Sequence, residues 1–109
     1  MQKLSLDALA REQLDAARRA SAGRAAHTAF GGHEHVMRQT VIALLAGREL
    51  ADHQNPGEAT VLVLRGRVRL AAGDDSWEGR QGDLLIVPSR VHKLQAVEDS
   101  AVLLTVAKR

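Results

Sequence analysis

The sequence predicts an all-β barrel or jelly roll with one α-helix in front of it, and two observations carry that expectation. From about His33 onward the 109-residue chain breaks into short apolar runs separated at near-regular intervals by glycine, proline, asparagine and aspartate. That is the pattern of eight or nine strands joined by turns. Ahead of them lies a stretch with helical periodicity. At this length the chain is one domain with one core, with residues 1–23 as a helical extension and 24–109 as the barrel. There is no tandem repeat and no low-complexity linker.

Ser5 is a natural N-cap for a helix over residues 6–20. Leu6, Leu9, Ala10, Leu14 and Ala17 recur at helical spacing, Arg18 and Arg19 close the last turn, and Gly23 lies just beyond. A helix with one apolar stripe does not stand alone, so it packs on the outside of the barrel or against a partner subunit. Arg24 to Phe30 is short and mixed, and Gly31-Gly32 is a turn. From His33 to Ala46 the first half alternates weakly and the second half is apolar throughout, a long strand that starts at an edge and enters a core. The β-branched Thr40, Val41 and Ile42 argue against a helix there.

Glu49 to Gly57 reads as loop, ending in the turn Asn55-Pro56-Gly57. Ala59 to Leu64 and Arg67 to Ala71 are strands on either side of Gly66. Counting back in twos from Gly66 places Ala59, Val61 and Val63 on one face, with Thr60, Leu62 and Leu64 on the other. Gly73-Asp74-Asp75 is a hairpin turn, and Trp77 begins the return toward Gly79. Leu84 to Val87 is an apolar run fit for a buried strand, which Pro88 ends. His92 to Val97 and Ala101 to Val106 read as a last hairpin turned at Glu98-Asp99-Ser100.

Composition removes several classes of function. Without cysteine there are neither disulfides nor thiolate ligands, which fits a reducing cytoplasm. No run approaches the length needed to span a bilayer, and charges at Lys3, Asp7, Arg11 and Glu12 interrupt any apolar signal core. A net charge of +2 offers no concentrated basic face, and Phe30 and Trp77 are the whole aromatic complement. Nucleic-acid binding by phosphate contacts or base stacking is therefore disfavoured. There is no nucleophile elbow and no phosphate loop.

Two blocks carry a family resemblance. In the first, Gly47, His53 and Gly66 stand at the spacing of the first cupin motif, whose order is glycine, five residues, histidine, one residue, histidine, three or four residues, glutamate, six residues, glycine. Asn55 occupies the second histidine position and Ala59 the glutamate position. In the second, Gly82 and Pro88 match the motif, Arg90 replaces its glycine, and His92 arrives one residue early. The chain thus resembles a small single-domain cupin with degenerate metal-binding motifs. The resemblance implies a double-stranded β-helix barrel that holds a small molecule, commonly as a homodimer.

Within that frame His53 and His92 flank a barrel mouth, where imidazole nitrogens can converge on a ligand or a divalent metal. The pocket expected from the motifs is His53, Asn55, Val61, Val63 and His92, with Gln39 added if its strand lines the barrel. A divalent metal such as iron, nickel, zinc or manganese would rest on His53 and His92, with His35 of the His33-Glu34-His35 pair as a third ligand. Arg65, Arg67 and Arg69 alternate as a solvated outer face or, more sharply, an anion site. Three functions follow. They are a small-molecule-binding or sensing barrel without a complete standard metal site, a metal-dependent oxygenase or isomerase with a non-standard histidine site, and a structural or regulatory partner protein with a filled barrel. Loss of the glutamate and one histidine favours the first.

Overall fold

Ser5 begins the first element as its side chain dictates. The computed structural model, which describes residues 1–53 and 57–108 with Asp52 and His53 by backbone alone, shows the Ser5 hydroxyl accepting from the Ala8 N–H at 3.1 Å. Such a cap stabilises a helix by about 1 kcal/mol. Helix α1 (Leu6–Arg19) follows and buries Ala10, Leu14 and Ala17. These pack on Ala43 and Ala101 of a sheet, with Ala25, Leu45 and Leu64 around them. Small residues on both sides let the helix lie close, so its stripe is used within the chain.

Nine strands follow among the described residues: β1 (Arg24–Gly31), β2 (Met37–Leu44), β3 (Glu49–His53), β4 (Glu58–Arg65), β5 (Arg67–Ala72), β6 (Asp75–Arg80), β7 (Leu84–Ile86), β8 (His92–Ala96) and β9 (Ser100–Ala107). They form two antiparallel sheets. The helix-covered sheet has the order β1-β2-β9-β4-β7, and the second has the order β3-β8-β5-β6. The core between them takes alternate residues from β2, β4, β5, β8 and β9, including Ile42, Leu44, Val61, Val63, Val68, Leu70, Leu94 and Val102. Ala59, Val61 and Val63 are all buried, as the pleat counted from Gly66 requires.

Four readings of the sequence are corrected. Arg24–Gly31 is a strand, and so is Glu49–His53 within the segment read as loop. Leu84–Ile86 is a strand at a sheet edge, with Leu84 and Ile86 exposed, so its apolar character does not reflect burial. The last two strands do not form a hairpin. β8 pairs with β3 and β5, whereas β9 pairs with β2 and β4.

The connection from β8 to β9 therefore crosses between sheets, as does Gly66 between β4 and β5, and the two crossings are stitched together. Arg67 N–H donates to Ser100 Oγ at 3.0 Å, and the Arg67 carbonyl accepts from Val97 N–H at 2.9 Å. Ser100 is buried because its hydroxyl is needed there. Gly66 has φ +79°, and a Cβ on it would come within 2.3 Å of the Asp99 carbonyl oxygen. Only glycine fits that corner.

Candidate functional site at the barrel mouth

The strand registers bring one set of ends together. Met37 and Glu58 both pair with Ala107, Thr60 pairs with Ile86, and Ala71 pairs with Lys93. The β1–β2 turn, the end of β3, the β5–β6 hairpin and the β7–β8 connection thus share one end of the sandwich. Here the two motif histidines meet, for His53 on β3 and His92 on β8 are direct cross-strand partners. Residues so opposed have Cα atoms about 5 Å apart.

His92 is 4% exposed and lines a cavity between the sheets together with Ile42, Leu50, Val61 and Leu104. Its Nδ1 lies 2.8 Å from the Arg90 carbonyl oxygen. A carbonyl only accepts, so Nδ1 carries the proton, and in the neutral ring Nε2 is the nitrogen with a lone pair. Arg90 stands where the family motif has glycine. The same residue that breaks the motif thus fixes the tautomer and orientation of His92.

The cavity itself is small. Its volume is about 10 Å³, room for roughly one water molecule. Among the described residues every other lining residue is apolar, and they give the interior a single polar side chain. A wider depression of about 490 Å³ opens on the outside of the same rim, lined by Ala71, Gly73, Arg90, Val91, His92 and Lys93. His92 borders both spaces. Arg90, Lys93 and Gly73 were not legible as site residues. Their only signal was the arginine at a motif position.

The remaining candidates disperse. Val61 lines the cavity, whereas Val63 is buried deeper in the core. Gln39 stands on the opposite face of its sheet from the cavity, where its amide donates to Thr105 Oγ1 at 3.1 Å, in a groove with Phe30, Leu4 and Leu6. The parity of β2 explains this, since Ile42 and Leu44 face inward and odd residues face the helix. His35 is exposed in the β1–β2 turn at the mouth end, its ring edge-on to Phe30 with centroids 5.2 Å apart. Asn55 lies outside the described residues.

Among the described residues no three of His, Asp and Glu come together as a metal-holding group. Ala59, at the family's glutamate position, is 5% exposed and brings no donor. The four-donor set that the fold usually offers a divalent metal does not fit these residues.

The arginines are occupied. Arg65 donates to Asp7 on the helix, Arg69 to Glu78 at 2.9 Å, and Arg67 lies 3.7 and 3.8 Å from Glu78 and Glu98. The Arg65 hydrogen bond and charge hold the Asp7 carboxyl below the usual carboxylate range. Arg69 does the same for Glu78. Paired in this way they tie the helix and the sheet edge to the barrel, while the buried Nε of Arg67 has no hydrogen-bond partner among the described residues.

A cupin domain model matches residues 40–107, well over half of the chain. The chain is a cupin. Solved structures agree with this assignment. The cupin superposes on a conserved protein of unknown function from Streptococcus pyogenes with a TM-score of 0.73 at 26% identity, covering 83% of this chain and 78% of that one. An RmlC-like cupin from Desulfovibrio desulfuricans matches at 27% identity and a TM-score of 0.66, covering 77% and 81%. A cupin superfamily protein from Desulfitobacterium hafniense shares the fold at 14% identity, with a TM-score of 0.72 and coverage of 79% and 78%. No functionally curated protein matches the chain. Among the described residues no helix is long and apolar enough to cross a membrane.

Proposed function

We propose that this cupin binds a small polar or anionic molecule at its rim, recognised by His92 with His53 beside it. The observation that carries the reading is the backbone pairing of β3 at His53 with β8 at His92, where the His92 side chain borders both a small apolar interior and an open rim depression. The hydrogen bond between Nδ1 and the Arg90 carbonyl holds the His92 ring where it borders both the cavity and the rim. Lys93 borders the same depression and favours negative charge, while the Arg90 guanidinium there is paired with Asp75. The interior is too small for the body of a ligand, so only a terminal methyl-sized group would enter past His92.

The test is a thermal-shift screen of small carboxylates, phosphates and sugar acids, followed by calorimetry on wild type, His92→Ala and His53→Ala. A ligand that stabilises wild type and loses at least tenfold in affinity in His92→Ala supports the reading. A ligand whose affinity ignores both substitutions refutes it, as does a screen without any ligand.

A second reading rests on the size of the cavity. An interior with space for one water is close to a filled core, which supports a structural or regulatory partner protein. It predicts that His92→Leu leaves function intact and stability unchanged or raised.

A further inference from the structure

On the outer face of the helix-covered sheet, beside the start of α1, lies a hollow of about 460 Å³. It shares no lining residue with the interior cavity or the rim depression, and it has room for a molecule built on one substituted ring. Leu4 and Leu6 come from the helix entrance, Ala29 and Phe30 from β1, and Gln39 and Leu103 from β2 and β9. Phe30, the only phenylalanine of the chain, is 44% exposed, and Leu4 is 52% exposed.

Two features set this hollow apart from a gap beside a helix. The first is the irregularity in β1 between Thr28 and Phe30. In an unbroken ladder Ala29 would oppose Gln39. Phe30 would then oppose Arg38, which shares the inward parity of Ile42 and Leu44. The extra residue instead brings Phe30 into register with Gln39 and turns its ring to the outer face. His35 packs against that ring, centroids 5.2 Å apart and planes at 67°, which steadies its orientation. The second feature is Gln39 itself, whose Nε2 donates to Thr105 Oγ1 at 3.1 Å. A primary amide has two N–H donors and a carbonyl acceptor, so one N–H and Oε1 remain. Neither has a partner among the described residues, and no described residue lining the hollow carries a charge.

We propose that the hollow binds an uncharged flat ring with an amide edge, that is, a carboxamide, a lactam or a ureide. The adjacent N–H and C=O of such an edge match the carbonyl and N–H that Gln39 has left, the same bidentate logic by which glutamine reads adenine. The apolar faces of the ring lie against Phe30, Leu4 and Leu103. Two competing classes fit less well. A carboxylate sets two acceptors against the Gln39 oxygen, and no cation in the described lining offsets its desolvation. A sugar would press hydroxyls on leucine, alanine and phenylalanine, where they lose water and gain no partner. The mouth histidines take no part, so binding here is independent of binding at the rim.

Backbone amide spectra of nitrogen-15-labelled protein, recorded during titration with nicotinamide and with uracil, test this. Sodium nicotinate serves as the charged counterpart of the first probe, and thermal unfolding shows that each variant folds. Either uncharged probe at millimolar concentration is expected to shift Phe30, Gln39 and Leu103 saturably, and nicotinate should bind at least about tenfold more weakly. Gln39→Leu keeps the bulk and removes the amide, and Gln39→Glu turns its edge into two acceptors. Each should weaken the uncharged probe about tenfold, whereas His92→Ala should leave its affinity unchanged. No saturable shift at these residues with either uncharged probe overturns the proposal, as does nicotinate binding as tightly as nicotinamide. A folded Gln39 variant that binds like wild type overturns it too. Binding lost in His92→Ala belongs to the mouth, and shifts that follow protein concentration without any probe assign the hollow to a second copy; both outcomes overturn it.

Discussion

Truncating Leu70 to alanine probes the interior most directly. Leu70 is 1% exposed and borders both the water-sized cavity and a surface groove beside Trp77. Removing three carbons forfeits about 2.4 kcal/mol of burial at ~0.8 kcal/mol each. The vacated space adds up to ~1.5 kcal/mol if the surroundings do not close on it, taking roughly 60 Å³ at ~24 cal/mol per Å³. The expected loss is therefore about 2.5 to 4 kcal/mol, a large share of the ~5 to 15 kcal/mol that holds a domain together. Urea unfolding should show a lower midpoint with an unchanged slope, and the melting temperature should fall by ~10 °C or more. The new void joins the existing cavity, whose lining is apolar apart from His92, so xenon should restabilise the variant measurably. A loss under about 1 kcal/mol, with no response to xenon, would refute the reading of a tightly closed interior.

Two further outcomes test the frame around the site. Gly66→Ala should cost at least ~2 kcal/mol, because a positive φ is joined to a direct clash with the Asp99 carbonyl; equilibrium unfolding of the variant checks this, and a neutral result would mean that the stitched corner relaxes freely. The ion pair of Asp7 with Arg65 has a definite sign with pH. A carboxyl held below its ordinary value by Arg65 contributes stability above the unfolded-state pKa and loses it as pH falls through the folded-state pKa. Asp7→Asn should therefore melt slightly lower than wild type near neutral pH, and the gap should close below pH ~4; a gap that persists in acid would assign the effect to something other than the ion pair.

The parts of the fold that could be read in advance are those whose residues are buried by their own strand. Ala59, Val61 and Val63 alternate with half-buried residues, so burial wrote a period of two into β4. The helix announced itself through Ser5 and the stripe Leu6, Ala10, Leu14 and Ala17. β1 left no such record, since Arg24, Ala26, His27 and Thr28 are exposed and the strand exists because β2 offers it a partner. In β3 one leucine, Leu50, packs against the core within the sequence Glu-Leu-Ala-Asp-His. β7 erred in the other direction, its exposed Leu84 and Ile86 imitating a core strand.

The candidate site shows the same division. The motif spacing located His53 and His92, and the strand register sets them opposite one another. Gln39 could not be placed without knowing which face of β2 the helix covers. Arg90 acts on His92 through its main-chain carbonyl, which no side-chain identity encodes.

The position of β9 has a consequence for how the molecule comes to exist. This strand lies in the middle of its sheet, with Met37 of β2 and Glu58 of β4 both opposite Ala107. Until residues 100–107 leave the ribosome, β1 with β2 and β4 with β7 are two separate hairpin-like fragments with no strand between them. Helix α1 lacks Ala101, part of the surface on which it rests. The pairings that complete the sheet are among the most distant in sequence, the kind that forms slowly. Folding of nearly the whole barrel thus waits on β9, and shortening the chain into β9 would leave two half-sheets, not a smaller barrel.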